Sequence, residues 1–289
     1  MIRIERKIQT RAEHLPLFLY EPGQQLPQRE IRDTLDTRGF AIIRGIPVVP
    51  FTTDDERRDV SHEWRKKLKF LGTPLKQDRK GTLEWFVRDE GVRHESNSGK
   101  GQVLRGGKAS KSSDELYMHN DAAPRWHEHD IQTVALLVFA QAREGGGTTL
   151  VDARKAYRVL QSENPTAAST LTDSTFYFDR TSGYDEGQLP FSSGHIIELE
   201  PFRVRHSPRI RQGFEIAEKV LLPEQDDAMT AWDGVLSRPD LHTTFTLQAG
   251  ELLLLNEDDI LHARTSFTND PQNPRTLTRM WFTRPANPA

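Results

Sequence analysis

The sequence predicts a mainly β fold with flanking helices. Three observations carry that reading. From Tyr117 onward, short apolar runs recur between glycine- and polar-rich turns. Before and between them lie polar segments with helical spacing and capping residues. The chain has 289 residues, 35% of them hydrophobic, which is enough for one large core. Many short strands at this spacing argue for a β-sandwich, barrel or jelly roll with helices packed outside.

Gln28 to Arg38 reads as an exposed helix, with Ile31 and Leu35 one turn apart and a stop at Gly39. Phe40-Ala-Ile-Ile-Arg-Gly45 is a short buried strand. Thr52 or Thr53 caps a second helix, with Asp54, Asp55 and Glu56 in its first turn, running to about Phe70 and ending at Gly72. Residues 76 to 113 are polar, glycine-bearing and weakly periodic, and a stretch of about 88–113 reads as a mobile loop that could close over a site. Thr133 to Ala140 is a core strand, Gly145-Gly-Gly147 a turn and Thr148 to Val151 a strand. Asp152 to Leu160 is a helix. Phe176–Phe178, Ile196–Leu199, Arg203–Arg205 and Phe214–Ile216 read as short strands. A helix falls within 224–237, and Thr243–Leu247, Glu251–Leu255 and Leu277–Thr283 complete the β pattern. No internal repeat is present. The expected organisation is a single domain over 1–289, with helical decoration at about 28–72.

Composition excludes several classes of function. The chain contains no cysteine, so disulfide frameworks, thiolate metal sites and cysteine nucleophiles are ruled out, and any metal must be held by histidine and carboxylate. Lys+Arg 39 against Asp+Glu 42 gives −3, which points to neither nucleic acid nor an anionic membrane as partner. The N-terminus lacks the apolar stretch of a secretory signal, and the longest apolar run, Val134 to Ala140, is far too short to span a membrane. The expected location is the cytoplasm.

One His-x-Asp occurs, His119-Asn120-Asp121. In a strand, residues i and i+2 share a face, so both side chains can grip one ion. Two imidazoles and a carboxylate on one octahedral face leave three positions open, as in non-haem iron(II) oxygenases. His262, just after the apolar run Leu252–Leu255 and its polar corner, is the candidate second histidine. Arg275 and Arg279 follow four residues apart, so in a continuous strand they share a face with Leu277 and Trp281. An inward guanidinium needs an anion, and a bound dicarboxylate would supply one. Taken singly, each of these residues has an ordinary structural reading as a surface pair, a turn histidine or a structural ion pair.

Several segments together resemble the taurine dioxygenase / clavaminate synthase-like family of Fe(II)- and 2-oxoglutarate-dependent dioxygenases. They are Met118-His-Asn-Asp121, Gly145-Gly-Gly-Thr-Thr-Leu150, Ala249-Gly-Glu-Leu-Leu-Leu-Leu-Asn256, Leu261-His-Ala-Arg-Thr-Ser-Phe267 and Arg275-Thr-Leu-Thr-Arg-Met-Trp281. The resemblance implies a double-stranded β-helix (jelly-roll) core. It implies that His119, Asp121 and His262 are the iron ligands. It implies that Arg275 holds the distal carboxylate of 2-oxoglutarate and that Arg279 faces the co-substrate or the prime substrate, with the two roles open to exchange. Thr149 would support the co-substrate, with Thr148 the neighbouring alternative. Asp121 argues against halogenation, because family halogenases carry Gly or Ala there.

The implied reaction consumes O2 and 2-oxoglutarate, releases succinate and carbon dioxide, and oxidises an unactivated C–H bond of a small amino-acid-like substrate in secondary metabolism. Hydroxylation leads, with desaturation or oxidative decarboxylation as other outcomes. A taurine/sulfonate-type catabolic dioxygenase is one alternative. Others are a non-catalytic jelly-roll protein that binds metal or a small acid, and a zinc hydrolase. Tyr117, Asn120, Trp126, Arg205 and Arg264 are candidate substrate positions, Arg264 equally a structural pair. His127 and His129 form a second candidate metal cluster, and Arg180 to Tyr184 a candidate lid segment.

Overall fold

The computed structural model describes residues 15–49, 52–78, 80–91, 95–96, 102–103, 109–121, 123, 131–180 and 189–284. The principal elements, in chain order, begin with β1 (Leu17–Leu19), α1 (Gln28–Arg38), β2 (Phe40–Arg44), α2 (Asp54–Lys67), β3 (Pro74–Leu75) and β4 (Trp85–Arg88). Next come β5 (Leu116–His119), β6 (Ile131–Ala140), β7 (Thr148–Asp152), α3 (Ala153–Glu163) and α4 (Pro165–Asp173). The chain continues through α5 (Ile210–Ile216), α6 (Pro223–Leu236), β8 (His242–Phe245), β9 (Glu251–Asn256), β10 (Ile260–Arg264) and β11 (Thr276–Thr283).

Two sheets frame the molecule. The larger has seven strands in the order β1-β2-β9-β6-β11-β3, with β4 also paired to β11. The smaller has four in the order β8-β7-β10-β5. Leu253, Leu255, Val134, Val138, Leu277 and Trp281 of the larger sheet pack with Leu150 and Phe245 of the smaller. The alternate residues Leu252, Leu254, Ala135, Leu137 and Phe139 pack with Ile31 and Leu35 of α1 and Trp64 of α2. Both faces of β6 and β9 are therefore covered, which is why their sequences read as continuous apolar runs rather than alternating ones. On the far side of the smaller sheet, Val151 and Leu261 pack against α3, α4 and α6. The layers run helix, sheet, sheet, helix, a mainly β molecule with several helices.

Local signals explain the element ends. Gly39 closes α1 with φ 76°, a left-handed conformation that costs glycine little. Thr53 caps α2 through a reciprocal box with Glu56. Asp152 caps α3 by accepting from the Lys155 N–H.

One expected strand is a helix. Phe214–Ile216 closes α5, where Ile210, Gly213 and Phe214 are buried at helical spacing. Gly213 lies so close to the Tyr177 carbonyl that a Cβ would come within 2.0 Å of it. Tertiary packing outweighed the short β-like run. The N-terminal helices also build a second core against the outer face of the larger sheet. Within the expected mobile loop, Glu95–Ser96 pairs with Gln102–Val103 and Ala109–Lys111 forms a single helical turn. The remainder of 92–108 lies outside the described residues, as do Trp126, His127, His129 and residues 181–184.

Candidate metal centre

The smaller sheet brings the two histidines together. His262 on β10 pairs in register with His119 at the end of β5, and with Leu150 on β7. Residues opposite one another across antiparallel strands share a face. Both imidazoles therefore lie on the side of Leu150, facing the larger sheet. Their ring centroids are 4.3 Å apart. The β5–β10 pairing shifts register between His262 and Arg264, an irregularity beside the site.

Asp121 lies in a turn just past β5, rather than in the strand as the spacing suggested. Its Oδ1 lies 3.7 Å from His119 Nε2 and 3.9 Å from His262 Nε2. One donor atom from each of the three residues falls within 4.8 Å of the others. Donors bound about 2.1 Å from one ion would lie roughly 3–4 Å apart. The set thus fits a single first-row metal.

The protons are arranged for that task. His119 Nδ1 donates to the Tyr117 carbonyl at 2.8 Å. A carbonyl only accepts, so Nδ1 carries the hydrogen and Nε2 keeps a lone pair toward Asp121. Burial lowers the pKa of both imidazoles, that of His262 to about 3, with the His119 charge adding to it. Both rings are therefore neutral near pH 7. His262 Nε2 is buried and has no hydrogen-bond partner.

Asp121 is held from the opposite sheet. Arg279 Nη1 donates to its Oδ1 at 3.0 Å and Trp281 Nε1 to its Oδ2 at 2.9 Å. Burial alone would raise its pKa, but the charges of Arg279 and the two histidines and the Trp281 bond hold it below the usual range. Gln77 fixes Arg279, its Oε1 accepting from Arg279 Nε at 2.9 Å.

A residue that sequence reasoning missed completes the setting. Glu257 is 0% exposed. Its Oε2 accepts from the Asp121 N–H at 2.7 Å, and its Oε1 lies 3.8 Å from His262 Nε2. Burial, and then the Asp121 charge, push its pKa well up. The available signal was an acidic corner, Asn256-Glu-Asp-Asp259, directly after a buried strand.

The arginines divide their work. Arg279 faces inward with Leu277 and Trp281, as the alternation requires, and is committed to Asp121 and Gln77. Arg275 lies before the first residue of β11, and register shifts between Thr276 and Leu277, so the two arginines do not share one continuous strand. Arg275 is 7% exposed, stacks 5.0 Å from the Phe267 ring, and leaves Nη1 without a partner. Among the described residues no carboxylate pairs with it. Burial lowers it to about 9, so it remains charged at neutral pH.

Three other candidates are repositioned. Thr149 pairs with Ala263 and Thr244, so it faces away from His262, and its hydroxyl meets that of Thr244 at 3.2 Å. Thr148, opposite Arg264, shares the histidine face. Asn120 is 2% exposed and spends its side chain on main-chain atoms, donating to Val204 O at 2.7 Å and accepting from His206 N at 2.9 Å. It clamps the ligand turn and has no surface left for a substrate. Arg205 is likewise consumed, donating to Ala123 O, Ser192 Oγ and Ser193 O with its charge 4.1 Å from the Phe178 ring. Tyr117 is half exposed and lends the site its carbonyl. Arg264 is buried against Ser112 and Asp114 carbonyls.

A partly buried two-histidine, one-aspartate cluster between two β-sheets, with Arg279 bonded to its aspartate, defines a candidate metal-site class of protein. The chain belongs to the taurine catabolism dioxygenase TauD, TfdA family, whose model matches residues 7–281. It is 28% identical over 185 residues to uridine-5'-phosphate dioxygenase of a Streptomyces species, covering 59% of this chain and 65% of that one. It is 24% identical over 262 residues to FR-33289 synthase of Streptomyces rubellomurinus, covering 84% of this chain and 68% of that one. The matches thus span about two thirds of the length of these relatives. Among solved structures, asparagine oxygenase in complex with Fe(II), 2S,3S-3-hydroxyasparagine and succinate superposes with TM-score 0.65 at 18% identity, covering 89% of this chain and 78% of that one. The non-heme iron oxygenase OrfP with Fe and alpha-ketoglutaric acid gives 0.61 at 16%, covering 89% and 79%. At these identities the structural likeness is one of fold. Among the described residues, no helix is long and apolar enough to cross a membrane.

Proposed function

We propose that this protein is an Fe(II)- and 2-oxoglutarate-dependent dioxygenase that oxidises a C–H bond of a small amino-acid- or nucleotide-like substrate in secondary metabolism. One observation carries the reading. A neutral imidazole pair and an aspartate converge on one point, with the buried His262 Nε2 left without a partner. Family membership and the iron- and 2-oxoglutarate-bound fold neighbours support it. The two facing sheets are read as the halves of a double-stranded β-helix, and the chain as one oxygenase domain.

His119, Asp121 and His262 would hold the iron, whose chemistry is the activation of dioxygen against the 2-oxo acid. The chain's own residues prepare that site. The Tyr117 carbonyl orients His119. Arg279, Trp281 and Glu257 fix the Asp121 carboxylate and main chain, so the ligand geometry is set before anything binds. Arg275 takes the co-substrate carboxylate that lies away from the metal, and Thr148 rather than Thr149 is the threonine able to support it. The apolar walls between the sheets keep bulk water from the reacting atoms. Hydroxylation is the leading outcome. Substrate placement decides between it and desaturation.

The test is anaerobic addition of Fe(II) and 2-oxoglutarate, followed by admission of oxygen with a panel of amino acids and nucleotides. The reading expects a weak visible charge-transfer band and then succinate release, both lost in Asp121→Ala. A protein that binds Fe(II) yet gives neither band nor succinate would sink it.

A further inference from the structure

Arg264 has no assigned task in the reading above, yet it is as deeply buried as Arg275. It is 6% exposed, and its guanidinium lies 4.7 Å from the Phe267 ring that Arg275 also stacks on. It stands two residues beyond His262 on β10 and opposite Thr148, so its side chain leaves the sheet on the histidine face. Only Nη2 is used, donating to the Ser112 and Asp114 carbonyls. Nε and Nη1 are buried without partners. The charges of Asp114 and Asp89 act on it favourably, but neither pairs with it directly.

The region around Phe267 therefore holds two buried cations and three buried N–H-bearing atoms with no acceptor: Nε and Nη1 of Arg264 and Nη1 of Arg275. The cations also repel each other, Arg264 being the second cause, after burial, of the lowered Arg275. Uncompensated buried charge is costly, and an arrangement of this kind calls for an anion. The Nε–H and Nη1–H bonds of one guanidinium diverge, so a single carboxylate accepts from Arg275 Nη1 and from one of the two free Arg264 nitrogens.

We propose that Arg264 and Arg275 form one paired-guanidinium pocket that takes the carboxylate of the 2-oxo dicarboxylate lying away from the metal. The proposal rests on the dioxygenase reading and adds a second arginine to its co-substrate site. Arg264 thereby becomes a determinant of which 2-oxo acids are accepted. The pocket disfavours acids without a second carboxylate, because those would leave both cations uncompensated.

The test compares 2-oxoglutarate with 2-oxopentanoate, which keeps the metal-binding end and lacks the distal carboxylate. Both are titrated anaerobically into the Fe(II)-loaded protein, reading the visible band and, separately, the thermal midpoint. Arg264→Gln should weaken 2-oxoglutarate binding roughly ten- to hundredfold and leave 2-oxopentanoate binding unchanged. Arg275→Gln should do the same. Arg264→Lys should recover part of the loss. Two results would overturn the proposal: wild-type affinity for 2-oxoglutarate in Arg264→Gln, or an equal loss for both acids, which marks a merely structural arginine. Absence of a band in the wild-type protein would instead refute the dioxygenase reading itself, so the two failures are distinguishable.

Discussion

At the scale of single residues, the site is built from groups that face one another across the two sheets. Trp281 belongs to the larger sheet but donates to Asp121, the carboxylate of the smaller sheet's ligand turn. Trp281→Phe keeps the ring and removes that donor. Fe(II) affinity is expected to fall roughly 10–100-fold, as for other groups that orient a metal ligand, with the fold retained. Competition with a chromogenic chelator measures it, and unchanged affinity would show that Arg279 alone orients Asp121. The buried histidines also make a pH prediction. His262 falls to about 3 in the folded chain from 6.5, so the folded state favours the neutral ring. Its contribution is fully present above pH 6.5 and is lost as the pH falls from 6.5 toward 3. Glu257 shifts in the opposite direction, so the useful quantity is a difference. In the metal-free protein, the stability gap between wild type and His262→Gln should shift against wild type between pH 7 and pH 5. Urea midpoints at both pH values test this, and a constant gap would contradict it.

At the scale of elements, the glycine turn before β7 is explained by what leans on it. Gly146 has φ +71°, and a Cβ there would lie 3.1 Å from Arg275 Nε. Gly146→Ala is expected to cost about 1–2 kcal/mol from the left-handed backbone alone. It should also weaken 2-oxoglutarate binding by displacing Arg275. Chemical denaturation and the anaerobic titration separate the two effects, and a stability loss with unchanged binding would remove the turn from the co-substrate site. The same scale shows what periodicity could and could not read. Helix α1 and its Gly39 stop are visible in the spacing of Ile31 and Leu35, because a helix with one buried face must repeat near 3.6 residues. Phe214–Ile216 misled because three residues cannot distinguish a strand from the end of a short helix. Spacing could not choose between Thr149 and Thr148, since the period of 2 reverses the face at every step, and the strand register puts Thr148 on the histidine face.

At the scale of the whole molecule, occupancy of the site should couple to global stability, because its proposed ligands come from β5, the turn after it and β10, and their supports from β11. Fe(II) with 2-oxoglutarate, each at about 100 times its Kd, should stabilise the folded protein by about 2.7 kcal/mol per ligand. That corresponds to a rise of roughly 4–5 °C in Tm for each. Anaerobic differential scanning fluorimetry checks it, and a midpoint insensitive to both would deny that they bind the folded state. The sequence by itself determined the mainly β class, the chemical type of the metal site and most element positions. Absence of cysteine restricts the donors, and His-x-Asp, a distal histidine and an arginine pair are local patterns. Only tertiary structure decided that Glu257 and Trp281 serve Asp121, that Arg279 is committed to it while Arg275 is not, and that Asn120 and Arg205 are structural. Those facts depend on which atoms meet in the folded chain, and contact between residues tens to more than a hundred positions apart is set by packing, which no local spacing records.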